Sequence, residues 1–539
     1  MNQMTNPLRM EIIPANAPFS DQQRQWLNGF LVGMLGLDGT IPLSPEQNKA
    51  VQGIGGDGDN GEAPWHDQTM TIAQRMKLAE GRPLRRRMMA AMAQQDCGQC
   101  GYNCSDYSDA IASRSEARLN LCVPGGKETA RMLKLLHEEL EKASPPVMSS
   151  SAAPTAEAAR QAAPAVVSEP GRSRENPVAA KFVSRRLLNK KGSEKETWHI
   201  EFDLDECGLD YVVGDSFGVF ARNDLGLVDQ IIALLGASHT TAVRGKTLRE
   251  VLIEDVSLSP APDSLFELFS FLSGGKEREK ARSLAQGEDP DGDAATLDVM
   301  AALQKFPKVR PHPESFVEAL EPLQPRLYSI SSSYNATPKK LSLTVDCVRY
   351  MIGKRRRLGL ASTFLAERIS PGDEVRVYVQ KAHGFALPQD SRTPIIMVGP
   401  GTGVAPFRAF LLDRQATGAS GKNWLFFGHQ RSGCDFFYQD ELNAMKTSGL
   451  LTRLSLAWSR DGARKFYVQD RMREVGRELW TWLAEGAHVY VCGDAKRMAR
   501  DVERALVDIV AQFGARSTDE AIAFVGELKK KGRFQQDVY

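Results

Sequence analysis

The chain has 539 residues, 42% of them hydrophobic and 25% charged, with 68 lysines and arginines against 67 acidic residues and a net charge of +1. That length exceeds one ordinary core and predicts about two to four domains, and the balanced charge excludes any global drive toward nucleic acid or a membrane surface. No basic leader precedes an apolar run and no stretch of about 18 apolar residues occurs, so a soluble, cytoplasmic protein without nucleic-acid or membrane partners is expected.

Residues 1–80 form a segment whose Asp21–Leu37 stretch carries Trp26, Phe30, Leu31 and Leu35 at helical spacing, ahead of a glycine-rich loop at 53–61. Packing or docking is its expected role. Residues 81–143 are rich in helix formers and hold four of the eight cysteines, Cys97, Cys100, Cys104 and Cys122, within 26 residues. Spacings of two and three residues let three thiolates face one metal group from a tight loop, with Gly98 and Gly101 admitting backbone N–H groups to the sulfurs. A helix over Asp106–Ala117 returns the chain to Cys122, and Thr129–Lys142 closes the module. A structural zinc site more often pairs two Cys-x-x-Cys knuckles, yet zinc and free thiols both stay open as alternatives to an iron-sulfur cluster. Residues 144–176 are Ser/Ala/Pro-rich without period and read as a flexible linker spanning roughly 30 Å, long enough for the module to swing.

From 177 to 388 short strands such as Trp198–Leu204 and Leu341–Arg349 surround a largely helical stretch at about 225–306, which predicts an antiparallel β-barrel with a helical insertion. From 389 to 539 the apolar strands Ile395–Val398, Trp424–Phe427, Arg453–Ala457 and Val489–Val491 each precede a helix or loop. This predicts a parallel α/β sheet. The fold class is therefore multidomain, a small mainly helical module followed by a barrel and a parallel sheet.

Gly399-Pro400-Gly401-Thr402-Gly403 follows the first of those strands and opens a helix, so its backbone can approach a pyrophosphate at a helix N-terminus. Ser459-Arg460, the run Lys465-Phe466-Tyr467-Val468-Gln469 and Cys492-Gly493-Asp494 all fall at the carboxyl edge of the same sheet, where ligands bind. Arg460 and Lys465 supply charge for an adenosine 2′-phosphate and Tyr467 a face for adenine, which favours NADPH over NADH. In the barrel, Arg326-Leu327-Tyr328-Ser329 ends a strand and Gly359-Leu360-Ala361-Ser362 opens a helix. An arginine for the pyrophosphate, a tyrosine to stack on a flavin and a second helix start suit FAD. The basic run Lys354–Arg357 reads as a solvated loop more than a docking patch, and Arg85–Arg87 as a better docking candidate.

Taken in order, these motifs and the terminal Asp537-Val538-Tyr539 resemble the ferredoxin-NADP-reductase-like module of diflavin reductases, the NADPH-dependent sulfite reductase flavoprotein subunits above all. The resemblance covers about Pro177–Tyr539. It implies FAD contacts at Arg326, Leu327, Tyr328, Ser329, Thr344, Val345, Asp346, Tyr350, Gly359, Leu360, Ala361 and Ser362, with Tyr539 shielding the flavin ring. It implies NADP contacts at Gly399, Thr402, Gly403, Ser459, Arg460, Lys465, Tyr467, Val468, Gln469 and Asp501, and a hydride-transfer set of Ser329, Cys492, Asp537 and Tyr539.

Diflavin reductases carry an FMN-binding flavodoxin domain before this module, and residues 1–143 lack its βα rhythm and phosphate loop. The cysteine box stands there instead and looks like the small 4Fe-4S domain of some bacterial electron-transfer subunits, although its third spacing of three residues, where four is expected, departs from that domain. The implied path runs from NADPH to FAD, then one electron at a time through the cluster to a separate haem-containing acceptor, a sirohaem sulfite reductase subunit. Another haem acceptor or a nitrate or nitrite reductase is the alternative, and a redox sensor a second one.

Overall fold

The computed structural model describes residues 63–67, 70–95, 100, 102–143, 169–382, 384–495 and 497–539. The expected Asp21–Leu37 helix, the glycine-rich loop, linker residues 144–168 and Cys97 lie outside them. No helix among the described residues is long and apolar enough to cross a membrane.

Among the described residues, four helices make the cysteine module: α1 (Ile72–Leu78), α2 (Leu84–Ala91), α3 (Cys104–Ala112) and α4 (Gly126–Ala143). Thr71 and Gln74 cap the first reciprocally, and the Asn103 side chain accepts from the Asp106 N–H at 2.7 Å to start the third. The expected return helix thus begins earlier and stops at Ala112, where the chain turns through Arg114 at φ 61°. The buried Tyr107 ties that turn down, its hydroxyl donating to the Arg118 carbonyl at 2.7 Å. The module does not stand free on its linker. Lys127 (3.2 Å) and Arg131 (2.9 Å) of α4 both grip Asp263, and the Lys127 ammonium sits 5.7 Å from the Phe266 ring centre.

The barrel strands follow: β1 (Val178–Leu187), β2 (Thr197–Asp203) and β3 (Ser216–Val219). Then come α5 (Leu225–Leu235), the small hairpin β4 (Ala242–Val243) and β5 (Lys246–Thr247), α6 (Leu248–Glu254), α7 (Asp263–Leu272), α8 (Gly275–Ala285), α9 (Val299–Lys305) and α10 (Pro313–Glu318). This insertion has its own core, with Phe266, Phe269, Phe306 and Phe316 buried. It runs past the expected 306 because Pro313, preset for a first helical turn, starts one more helix behind His312. The barrel resumes with β6 (Arg326–Ser329), β7 (Lys340–Asp346), the hairpin β8 (Arg349–Ile352) and β9 (Arg355–Leu358), α11 (Leu360–Thr363) and β10 (Glu374–Gln380). Its six strands run β6-β3-β10-β1-β2-β7, and an antiparallel bridge between Ile330 and Leu343 joins the two ends. Inside, Phe202 packs on Phe182 and Phe217 at ring distances of 5.9 and 5.3 Å. Burial of each such ring is worth about 1.5–3 kcal/mol.

The last region alternates β11 (Ile395–Val398), α12 (Ala405–Ala416), β12 (Asn423–His429), α13 (Gln439–Thr447), β13 (Arg453–Trp458), α14 (Val468–Glu474), α15 (Gly476–Ala484), β14 (His488–Gly493), α16 (Met498–Phe513), α17 (Thr518–Lys530) and β15 (Phe534–Val538). The parallel order β13-β12-β11-β14-β15 is that of a doubly wound sheet. Ile396 and Val398 enter one buried layer and Ile395 and Met397 the other, which is why these strands are apolar at every position.

Two buried polar clusters join barrel to sheet. Asp435, fully buried, accepts from Asn189 Nδ2 (2.8 Å) and Ser193 Oγ (2.5 Å) of the β1–β2 loop, from the Arg431 N–H (3.0 Å), and lies 3.3 Å from His429 Nδ1. Burial opposes its charge, but the Ser193 and Asn189 hydrogen bonds and His429 hold its carboxyl below the ordinary range. In the second cluster the Tyr438 hydroxyl meets His199 Nδ1 at 3.1 Å and Thr344 Oγ1 at 2.7 Å, with the Arg408 guanidinium 4.9 Å from the tyrosine ring centre. Burial, reinforced by Arg408, depresses the His199 imidazole to about 4. A free histidine takes its proton near about 6.5, so below that pH the unfolded chain binds a proton that the folded one refuses. Stability should therefore fall as pH drops from about 6.5 toward 4. In urea unfolding, His199→Gln is expected to show a shallower decline across that window, and parallel pH profiles for the two proteins would refute a buried neutral His199.

Candidate active site

Strands β6, β14 and β15 meet at the barrel–sheet junction. The β14–β15 register pairs Cys492 with Asp537, so neighbouring side chains on one face bring thiol and carboxylate together. From the barrel, Ser329 Oγ donates to Asp537 Oδ2 at 2.5 Å, and Cys492 Sγ lies 3.7 Å from the same oxygen. Three of the four residues expected to serve hydride transfer thus share one carboxylate. Burial pushes the Cys492 thiol up, well out of the thiolate range, and raises the Asp537 carboxyl against the opposing Ser329 hydrogen bond. The pair offers a neutral thiol and an oriented hydroxyl, not a nucleophile.

Tyr539 completes the set at one remove. Its N–H donates to the Gly493 carbonyl at 3.0 Å, its carbonyl accepts from Ala495 at 3.2 Å, and its hydroxyl meets Thr402 Oγ1 at 2.7 Å. Tyr539 as a whole stays 50% exposed. The expected glycine turn is sterically required: a Cβ on Gly403 would stand 2.1 Å from the Cys492 carbonyl oxygen, and one on Gly399 2.4 Å from the Gly403 oxygen.

A cavity of about 420 Å³ opens at the carboxyl edge of the sheet. Of the residues that the resemblance assigns to NADP, Ser459, Tyr467, Val468, Gln469 and Asp501 line it, whereas Gly399, Thr402, Gly403, Arg460 and Lys465 do not. Arg460 instead pairs with Glu194 at 2.5 Å, a residue of the barrel's β1–β2 loop. Lys195, His429 and Arg497 also line the cavity, and motif reasoning missed all three. Lys195 comes from the other domain, far from any nucleotide motif. Arg497 had a signal: Asp494 of Cys-Gly-Asp accepts from the Arg497 and Met498 N–H groups at 2.7 and 3.1 Å and so starts α16.

A second cavity, of about 200 Å³, lies between barrel and insertion. Arg326, Tyr350 and Leu360 of the expected flavin set line it, together with Arg355, Arg356, Arg357 and Arg368. This corrects the reading of Lys354–Arg357 as a solvated loop: three of its arginines form β9, and Asp298 holds Arg355 and Arg357 against the insertion. Burial lowers Arg326, which favours an anion beside it. Other members of the set serve the scaffold with their side chains. Thr344 is buried against Tyr438, while Val345 and Ala361 sit in the barrel core. Asp346 accepts from Thr197 Oγ1 at 3.2 Å. Gly359 packs where a Cβ would lie 2.6 Å from Ser362 Oγ.

In the cysteine module, Cys100, Cys104 and Cys122 are buried and line one small pocket with Met92, Tyr107 and Pro124. Burial pushes Cys100 up to about 11 and raises Cys122. A Cβ on Gly125 would lie 3.0 Å from Cys122 Sγ, so that glycine keeps the approach to the sulfur open. Among the described residues no group of three or more histidines, cysteines and acids is arranged to hold a metal ion. The donor chemistry nevertheless fits a thiolate-ligated group, since the pocket lining has three thiols and no carboxylate or imidazole.

Residues 170–364 match the FAD binding domain family and residues 397–504 the oxidoreductase NAD-binding domain family. The chain is 44% identical over 371 residues to the sulfite reductase (NADPH) flavoprotein alpha-component of Photorhabdus laumondii, covering 68% of this chain and 61% of that protein. Its counterpart in Klebsiella pneumoniae is 42% identical over 377 residues, with coverage of 68% and 61%. That of Escherichia coli O157:H7 is 42% identical over 402 residues, with coverage of 72% and 66%. The chain thus spans about three fifths of the length of the curated relatives it matches. The barrel with its insertion and the parallel sheet are an FAD binding domain joined to an oxidoreductase NAD-binding domain.

Proposed function

We propose that this chain is an NADPH-dependent flavoprotein reductase that feeds electrons to a separate acceptor, the haem subunit of a sulfite reductase. The convergence of Ser329, Cys492 and Asp537 from three strands of two domains carries the reading, and the flavoprotein alpha-components with which the chain shares 42–44% identity support it. FAD at the junction would supply a hydride acceptor that can release electrons singly, and a 4Fe-4S cluster on Cys97, Cys100, Cys104 and Cys122 would supply a one-electron carrier.

The chain's own residues prepare the site for that chemistry. Asp537 fixes the Ser329 hydroxyl, which can orient the flavin edge, and the neutral Cys492 thiol offers the nicotinamide a close, weakly polar contact. Tyr539 covers the flavin ring in this reading and must yield to the nicotinamide. Arg326 and the β9 arginines take the flavin diphosphate, and Tyr467 with the Ser459–Arg460 corner takes the adenosine end.

Asp537→Asn should retain FAD, yet slow flavin reduction by NADPH about 10- to 100-fold in stopped-flow traces, and an unchanged rate would remove Asp537 from the machinery. Deletion of Tyr539 should alter the preference for NADPH over NADH, whereas unaltered selectivity would contradict its position over the flavin. The purified protein is expected to contain about four irons and four acid-labile sulfides per chain, one FAD and no FMN, and to reduce a co-purified sirohaem subunit. Zinc in the cysteine site, or stoichiometric FMN, would end the iron-sulfur proposal.

A further inference from the structure

The pocket of Cys100, Cys104 and Cys122 has no acid in its lining, yet two arginines stand behind it. Arg75 of α1 is only 6% exposed. Its Nε donates to the Ala90 carbonyl at the end of α2 at 2.9 Å, and its Nη1 to the Met70 carbonyl at 2.5 Å. Those partners are neutral, and among the described residues no carboxylate forms an ion pair with it. The same end of α2 builds the pocket: Met92 and Ala93 line it, the Ala93 backbone hydrogen-bonds the Cys122 thiol, and Thr129 Oγ1 donates to the Ala91 carbonyl at 2.8 Å. Burial is the largest influence on the Arg75 guanidinium and opposes its charge. The Cys122 and Cys104 thiols come next and favour it, ahead of Asp67 and Glu128.

Arg174 reaches the pocket from outside the module, from the segment that leads into β1. Its side chain is 8% exposed, lies 3.5 Å from the outward-facing Glu175, and donates to the Gln324 side chain just ahead of β6. Burial dominates the Cys100 thiol, and Arg174 opposes it.

We propose that Arg75 and Arg174 are built-in counter-ions for an anionic, thiolate-ligated metal group in the cysteine pocket, Arg75 from within the module and Arg174 from the barrel side. The inference rests on the iron-sulfur reading and deepens it. Neutral thiols have no use for a cation, and a buried guanidinium without an acid is costly unless an anion comes to it. Thiolate ligands bring that anion. A fixed cation favours the reduced form most, because one further electron makes the group more negative, so both arginines raise the reduction potential of the site. Arg174 adds its share only while the module is seated on the barrel. The site is therefore easiest to reduce when it is docked beside the flavin domain, and by reciprocity its reduction tightens that docking.

Two measurements on the full chain test this. In an EPR-monitored redox titration of the purified protein, Arg75→Gln and Arg174→Gln should each move the cluster midpoint to a more negative potential. Arg75→Lys keeps the charge and should stay close to the unsubstituted value. In the second measurement Co2+ alone is added to the metal-depleted chain, and thiolate-to-cobalt charge-transfer absorption reports its binding. Arg75→Gln is expected to weaken Co2+ about 10- to 100-fold, and Arg174→Gln by less. Residue 174 lies outside the module's helices, so its variant carries the test if loss of Arg75 prevents assembly. Should the glutamine variants leave midpoint and Co2+ affinity unchanged, or lower only the melting temperature, the counter-ion proposal is overturned while the iron-sulfur reading stands. If Co2+ binds the unsubstituted chain without that absorption, the thiolate site itself falls and takes the inference with it.

Discussion

A single carboxylate with no access to water governs how the barrel and the parallel sheet meet. Asp435 is ringed by donors from both domains, and any displacement of the barrel would strand a buried charge and several buried donors at once. Removal of one partner from such an arrangement costs far more than the pair contributes in net stability, so the cluster acts as a registration device. Its counterpart at Tyr438 does the same from the neighbouring helix start, at a residue held at φ 53°. With both in place, β6 of the barrel stands opposite β14 and β15, and a hydroxyl on one domain can reach a carboxylate on the other.

That dependence shapes the chemistry. The Ser329–Asp537 hydrogen bond spans 208 residues of sequence and joins a barrel strand to a sheet strand, so it exists only when barrel and sheet have both folded and docked. The Cys492 thiol is buried in the strand whose carbonyl Gly403 approaches too closely for any side chain, which ties the phosphate-binding turn to the reacting edge of the sheet. A site assembled this way is closed around the Cys492 thiol and half exposed at Tyr539.

Much of this was legible in the chain because it is written in local patterns. Apolar strands followed by glycine turns announce a parallel sheet, and Ile395–Val398 was read to the residue. Arg-x-Tyr-Ser and Asp-Val-Tyr named residues that the fold brings within hydrogen-bond range. What escaped depends on long-range contact. Arg355–Arg357 read as solvated because a run of charge carries no record of Asp298 and the cavity it faces. The strand Leu341–Arg349 is two strands, since Asp346 turns to Thr197 and Lys195 before the chain re-enters a hairpin. The docked cysteine module was equally hidden: nothing local links Lys127 and Arg131 to Asp263, which lies more than 130 residues onward. No motif marks Lys195, because its place is decided by a loop from another domain.

That loop bears on what the word domain means here. The family boundaries fall between residues 364 and 397, and by sequence the nucleotide-binding half is a self-contained unit. Yet one wall of its cavity, Lys195, and the acid that meets Arg460 belong to the half that precedes it. A nucleotide domain excised or recombined at that boundary would keep every recognisable motif and still present an altered binding surface. The unit of inheritance and the unit of recognition do not coincide, and grafting this sheet onto a different barrel would transplant its fold more faithfully than its choice of nucleotide.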